Sequence, residues 1–423
     1  MKRYETYKPT GIDWIGEIPK HWEVKRMRFV CSYEKGKNPS HLSFEQEEGM
    51  VPYLSMEYLR GNNIETQYTF LDDNLVKSSQ NDLLLLWDGA NAGEFIDSKD
   101  GVLCSTCAKL SPKGFNKSFF KYFCMTSQRY LQDMTNGMGV PHVDSNVLKN
   151  MTVAIPTSSE QEEIAKYLDE KCSSVDKVIA TQEKRVALLN ELKQSVISEA
   201  VTRGINPNAS LKESGIEWIG KIPEHWEVRK NSHIYNLIGS GSTPNTANKD
   251  YYCDSDGIHW LQTGDLNDGY ITNTAKQVTH EAVYTLNLKI YSSHSIVIAM
   301  YGATIGKVGI LDINTAVNQA CCVLSESKLL NKKYSFYSFI SAKKTLIALS
   351  AGGGQPNISQ DIIRRLKMPV PPIEEQCEIV RFLDEKCRRF DTLISKANKE
   401  IELLEEYKQT IISEAVTGKI KVY

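Results

Sequence analysis

The residue types with catalytic potential in this chain of 423 residues fall in a few short segments. Cys104-Ser105-Thr106-Cys107 sets two thiols three residues apart, a spacing used by redox pairs and by half of a zinc site. No second cysteine pair has metal-site spacing. The later counterpart, Asn318-Gln319-Ala320-Cys321, runs into an apolar stretch, so core packing is the expected role. Gly302-Ala303-Thr304-Ile305-Gly306-Lys307-Val308 echoes a phosphate loop. Its glycines are one residue too close, and Val308 stands where a magnesium-binding hydroxyl is required. Asp169-Glu170-Lys171 and Asp384-Glu385-Lys386 have the acid–x–lysine character of nucleases, but both lie in helical patterns where solvated charge is expected. His21-Trp22 and His225-Trp226 offer an imidazole for acid–base work. In a repeated segment beside tryptophan, packing or partner docking is the expected role. Neither an Asn-Pro-Pro-aromatic motif nor a glycine-rich cofactor loop occurs, so the chain reads as non-catalytic, with no metal site of its own.

These segments sit in a frame that is written twice. Residues 11–24, Gly-Ile-Asp-Trp-Ile-Gly-Glu-Ile-Pro-Lys-His-Trp-Glu-Val, return as 215–228 with eleven of fourteen positions identical. Leu168-Asp169-Glu170-Lys171-Cys172 returns at 383–387, and Ile197-Ser198-Glu199-Ala200-Val201-Thr202 at 412–417. Gly89-Ala90 and Gly93 match Gly302-Ala303 and Gly306. Gly137, Gly139 and Pro141 match Gly352, Gly354 and Pro356. The offset grows from 204 to 215, so the ends of each half agree while the middles differ. A duplicated frame with unlike inserts implies two related sites that read different things.

The middles read as β-rich with some helix. Asp82–Trp87, Ser295–Met300 and Ala320–Leu324 are short apolar runs of the kind that form buried strands. Helical patterns cover Ser118–Leu131 and Lys332–Leu349. The half-ends read as long helices. Thr157 and Glu160 have capping-box spacing after Pro156. Apolar or small residues then recur at Val175, Ile179, Val186, Leu189, Leu192, Val196 and Ala200, with Gln182 as a polar break. The second copy has Phe390, Ile394, Ala397, Ile401, Leu404, Tyr407, Ile411 and Ala415. Steps of three and four mark a coiled-coil seam. The expected class is α+β, with two mixed β-rich domains and two long helices pairing as an antiparallel coiled coil in a pseudo-twofold repeat. The expected boundaries are 1–157 and 204–372 for the globular domains, and 158–203 and 373–423 for the helices. A helix of about forty residues spans roughly 60 Å, long enough to act as a ruler between two readers.

Hydrophobic content of 41% and charged content of 24% are those of a globular protein, and no apolar run is long enough for a membrane span. Ten scattered cysteines and a polar start lead to the expectation of a cytoplasmic protein. Net charge is −2. Segments 160–200 and 374–415 carry −3 and −4, leaving +5 on the remainder, which favours contact of that remainder with a polyanion.

Taken in order, the repeated Trp-Ile-Gly-x-Ile-Pro-x-His-Trp, the variable domain, the Gly-x-Gly-x-Pro, the capped helix and the Ile-Ser-Glu-Ala-Val-Thr resemble type I restriction–modification specificity subunits across essentially the whole chain. The second domain also resembles them at Gly241-Ser242-Thr243-Pro244, at 260–266 and at 300–307. The first departs more, with Lys35-Gly36-Lys37-Asn38-Pro39, Tyr53–Glu57 and Trp87–Asn91 in those places. The resemblance implies one half of a split DNA site read by each domain, with the helices setting the gap. It implies two methyltransferase subunits and motor–nuclease subunits as partners, with S-adenosylmethionine, ATP and magnesium on those partners and no cofactor here. Two other readings are a stand-alone nuclease with duplicated domains and the specificity subunit of a fused restriction–methylation enzyme. Bases are read at their edges by Arg, Lys, Asn, Gln, Ser and Thr. The expected DNA contacts in the first domain are Lys35, Lys37, Asn38, Arg60, Asn62, Asn91 and His142. In the second they are Ser242, Thr243, Asn245, Lys249, Gln262, Thr263, Tyr301, Thr304, Lys307, Gln355 and Asn357.

Overall fold

The computed structural model describes residues 2–12, 14–61, 65–137, 139–302, 304–350 and 357–422. Its two longest elements are the helices Ser158–Arg203 and Ile373–Val416, of 46 and 44 residues. The first opens on the expected capping box. Thr157 N and Oγ1 donate to Glu160 Oε2 at 3.0 and 2.8 Å, and Glu160 N donates back to Thr157 Oγ1 at 3.4 Å. Gly204, with φ +76°, ends it in the left-handed conformation that glycine adopts without penalty.

The chain forms two compact units. The first holds everything up to Glu183 together with Lys399 onward; the second runs from Lys184 to Asn398. Each therefore contains one α+β domain and part of both long helices.

In the first unit, strands Cys31–Lys35, Cys107–Pro112, Leu83–Leu86 and Phe95–Asp97 lie in that order in an antiparallel sheet. A second sheet orders Tyr68–Phe70, Met50–Leu54, Gly101–Leu103 and Lys77–Ser78, its central pair parallel. The run Leu83-Leu84-Leu85-Leu86 is apolar throughout because it is covered on both faces. Leu83 and Leu85 join Phe119, Phe120 and Phe123 of helix Lys117–Asp133, while Leu84 and Leu86 join Leu54, Val102 and Leu103. The second unit repeats the device. Ile296 and Ile298 pack under helix Lys332–Ala348, and Val297 and Ala299 face Leu261, Leu311 and Val317. Its two larger sheets have five strands each.

The long helices run antiparallel within each unit. In the first, Ile164, Ala165, Leu168 and Cys172 share a core with Ile411, Ile412, Ala415 and Val416, and Lys408 Nζ lies 2.6 Å from Asp176 Oδ1. In the second, Ile197, Ala200 and Val201 share a core with Ile379, Val380, Leu383 and Cys387, and Lys193 Nζ lies 2.6 Å from Asp391 Oδ1. The expected seam needs one correction in each copy. Leu192 and Tyr407 are 54% and 44% exposed, and the neighbouring Lys193 and Lys408 are the half-buried residues there. The step of four places each lysine stem along the apolar surface and its ammonium on an aspartate.

The helix ends are exchanged. The second copy of Ile-Ser-Glu-Ala-Val-Thr closes the first unit, and the first copy closes the second. Lys2 and Lys421 form a β-bridge. Gly418 has φ +71°, and a Cβ there would lie 2.4 Å from Pro19 Cδ and 3.0 Å from Trp22. We expect Gly418→Ala to destabilise the first unit by about 1–3 kcal/mol, from overpacking a rigid ring and from left-handed backbone. Urea unfolding would show a lowered midpoint; an unchanged midpoint would contradict the packing.

Candidate nucleic-acid interface

In the first unit the candidate residues hang on one hydrogen-bonded turn, Cys104 to Cys107. Cys107 N donates to Cys104 O at 3.2 Å, closing the turn. Trp87 N and Asp88 N donate to Thr106 O at 2.7 and 3.3 Å, and Gly36 N donates to Cys107 O at 2.9 Å. Ser105 N reaches Asn38 Oδ1 at 3.3 Å, which also accepts from Tyr53 Oη at 2.8 Å. Gly36 is needed here because a Cβ would sit 2.1 Å from Cys104 O.

Around this turn Lys35 Nζ pairs with Asp88 Oδ2 at 2.7 Å, and Arg60 with Glu94 at 2.5 Å. His142 bridges to Asp88, Asn91 is exposed at the start of the turn that Glu94 N closes, and Lys37 is exposed between Gly36 and Asn38. The fold thus gathers Lys35, Lys37, Asn38, Arg60, Asn91 and His142 from distant positions. Asn62 lies outside the described residues. Exposed ion pairs of this kind contribute about 0–1 kcal/mol. Lys35 and Arg60 can trade their carboxylates for phosphate oxygens at little cost.

The second unit repeats the turn at Asn318 to Cys321, closed at 3.3 Å. Met300 N donates to Ala320 O at 2.8 Å, Gly241 N to Asn318 O at 3.3 Å, and Asn318 N to Leu261 O at 3.0 Å. The Thr243 hydroxyl donates to the Gln319 side chain, as Asn38 meets Ser105 in the first unit. Ser242 accepts from Trp260 Nε1 through its carbonyl at 3.2 Å. Gln262 and Thr263 open the short helix Thr263–Asp265, and Asn357 bridges to Tyr301. These six candidates come together at the turn.

Asn245 and Lys249 are held separately, by an Asx turn onto Ala247 N and by the short helix Lys249–Tyr251. Lys307 N closes a turn on Thr304 O at 2.9 Å, and the Thr304 hydroxyl oxygen is buried without a protein partner. Gln355 lies outside the described residues. The turns themselves, with Ser105 and Gln319, were not among the expected contacts. Their signal was present as two aligned Cys or Asn to Cys segments in the repeat.

A Cβ on Gly241 would meet Val317 O at 1.6 Å, a clash with backbone. We expect Gly241→Ala to displace the loop carrying Ser242 and Thr243, with backbone amide shifts confined to 241–249 and 318–321 in hydrogen exchange. Unchanged exchange there would contradict the close approach.

The repeated His-Trp pairs are structural clamps. His21 Nε2 and Trp22 Nε1 lie 2.8 and 3.2 Å from Glu160 Oε1. His225 Nε2 and Trp226 Nε1 lie 2.6 and 2.9 Å from Glu375 oxygens. Next door, Gln161 Oε1 accepts from Asn116 N and Gln376 Oε1 from Asn331 N, each glutamine capping the entry to a domain helix. The acid–x–lysine segments also differ from expectation. Asp169 and Asp384 are not merely solvated; they accept from Tyr122 and Tyr337 hydroxyls at 2.8 Å. Those bonds fasten each domain helix to a long helix. Among the described residues, no group of three or more His, Cys, Asp or Glu is placed to hold a metal.

Two like frames, each presenting a cluster of polar loop residues, define a tandem reader. The family model described as type I restriction modification DNA specificity domain matches residues 19–191 and 223–403. The chain therefore belongs to that family and is a type I restriction–modification specificity subunit built on two such domains. It is 33% identical over 417 residues to the type I restriction enzyme MjaVIII specificity subunit of Methanocaldococcus jannaschii, covering 96% of this chain and 94% of that one. It is 23% identical to the EcoBI specificity subunit of Escherichia coli, over 97% and 88% of the two chains. A chain solved in work on type I R-M complex assembly and conformational transition superposes with a TM-score of 0.70 at 17% identity, over 95% of this chain and 99% of that one. That likeness speaks for the fold.

Proposed function

We propose that this subunit reads a two-part DNA target, one half-site for each α+β domain, and supplies address while partner subunits supply chemistry. The observation that carries the reading is the repeated turn. It gathers polar, glycine-adjacent loops in both units, yet lines them with different side chains. Asn38, Lys35 and His142 face one half-site; Thr243, Gln262 and Asn357 face the other. Arg and Lys at the rim position the phosphates, and the amides and hydroxyls meet base edges.

The partners are two methyltransferase subunits, which bring S-adenosylmethionine, and motor–nuclease subunits, which use ATP and magnesium. A count of two fits the duplicated frame. Leu188 and Leu192, with their equivalents Leu403 and Tyr407, leave exposed apolar pairs on the long helices for such docking. Work inside the cytoplasm fits DNA as the target. No described helix is long and apolar enough to cross a membrane.

The test is methylome sequencing of a host expressing this chain with its methyltransferase. A split motif is expected. Asn38→Ala should relax the sequence at one half-site only, costing about 1–3 kcal/mol there. A contiguous motif, or relaxation of both halves, would overturn the assignment. Plasmid cutting by the purified chain with magnesium alone would favour the nuclease reading.

A further inference from the structure

Beneath the loops of the first domain lie two thiols that the reading function does not use. Cys104 and Cys107 are 4% and 0% exposed, and their sulfurs are 3.5 Å apart. Met56 Sδ is 3.4 Å from Cys107 Sγ, and Thr106 Oγ1 is 3.1 Å from Cys104 Sγ. The hydrogen-bonded turn holds their Cα atoms within about 7 Å, the range a disulfide spans. Cys107 and the central residue Thr106 of that turn accept backbone bonds from the reading loops at Gly36 and Trp87. The equivalent turn in the second domain has Asn318 in place of the first cysteine, so it cannot form the bond.

We infer that Cys104 and Cys107 form a reversible peroxide-sensitive pair whose oxidation alters reading by the first domain and spares the second. The inference rests on the DNA-reading function proposed above. Hydrogen peroxide is small and neutral enough to reach a nearly buried sulfur. The Cys107 thiol beside Cys104 holds Cys104 below the ordinary thiol range, which supplies the attacking thiolate. Cys104 sulfur takes one peroxide oxygen as the O–O bond breaks, leaving a sulfenic acid, and the released hydroxide picks up a proton to become water. Cys107 sulfur then attacks Cys104 sulfur. The S–S bond forms, and the hydroxyl leaves with the Cys107 proton as a second water. Two thiols and one peroxide become one disulfide and two waters. Drawing the sulfurs from 3.5 Å to about 2 Å tightens the turn from which Ser105 and Thr106 hold Asn38 and Trp87.

The test treats the full chain, in complex with its methyltransferase, with hydrogen peroxide, quenches with catalase, and maps thiols by differential alkylation. Cys104 and Cys107 are expected to become protected together and to be released by dithiothreitol. Binding is then read on duplexes with the first or the second half-site scrambled. Oxidation should cut discrimination at the first half-site about tenfold, the worth of one base contact, and leave the second unchanged. Cys104→Ser should remove the peroxide effect, and Cys107→Ala serves if that variant does not fold. Free thiols after peroxide, or an equal loss in the cysteine variant, would overturn the switch. A disulfide that forms in a complex with no sequence preference even when reduced would instead sink the reading function, and the switch with it, while leaving the thiol chemistry intact.

Discussion

Deleting the last residues, from Lys408 onward, should unfold the first unit and leave the second folded. The reason is the exchanged helix ends. Ile411, Ile412, Ala415, Val416 and Ile420 are buried in one core with Ile15, Ile18 and Trp22. Burial of each large aliphatic side chain contributes about 1.5–3 kcal/mol. Losing three isoleucines and a valine removes most of a stability that is commonly about 5–15 kcal/mol. The second unit closes instead on Ile197, Ala200 and Val201 and keeps all of them. Hydrogen exchange on the full and truncated chains would show amides around Trp22 and Phe123 losing protection, while those around Trp226 and Tyr334 keep it. Protection lost in the second unit instead would mean that each repeat closes on its own helix end. Ile412→Ala is the gentler form of the same test, at about 2–5 kcal/mol.

Glu160→Ala should cost the first unit about 2–4 kcal/mol, because one carboxylate ends several roles. It caps Thr157, accepts from the buried Trp22 indole and holds His21. Its side chain is only 7% exposed, so the indole donor is left without an acceptor when the carboxylate goes. Glu375 is the equivalent residue but 37% exposed, and water can replace it at Trp226 more readily. Glu375→Ala should therefore cost the second unit less. Glu160→Gln keeps an acceptor oxygen and should recover part of the loss. Separate denaturation of the two units, followed by tryptophan fluorescence, would measure the order. Equal losses at both sites would show that burial does not govern the clamp.

Much of this was legible in the residue order. The repeat, the capping box at Thr157 and Glu160, and the buried runs around Leu84 and Val297 are all local signals. Period and composition report them without any distant contact. The seam was readable to within one residue, and it failed at Leu192 and Tyr407. There an apolar residue and a lysine compete for one place, and the lysine wins because an aspartate on the other helix receives its charge. The polar candidates were found by type and by nearness to glycine. The turns that gather them were not, because Ser105 and Gln319 act through contacts more than sixty residues away.

The amino-acid sequence by itself determined that the chain is two copies of one frame with unlike inserts, each ending in a long amphipathic helix, the first of them opened by a capping box. Periodicity and duplication are properties of residue order, so no folding was needed to see them. Only the tertiary structure decided which helix end closes which domain, and that His21, Trp22 and Glu160 form one clamp. Either copy of Ile-Ser-Glu-Ala-Val-Thr suits either domain by composition. The choice is made by chain geometry, which sets each antiparallel helix end beside the other copy's tryptophan.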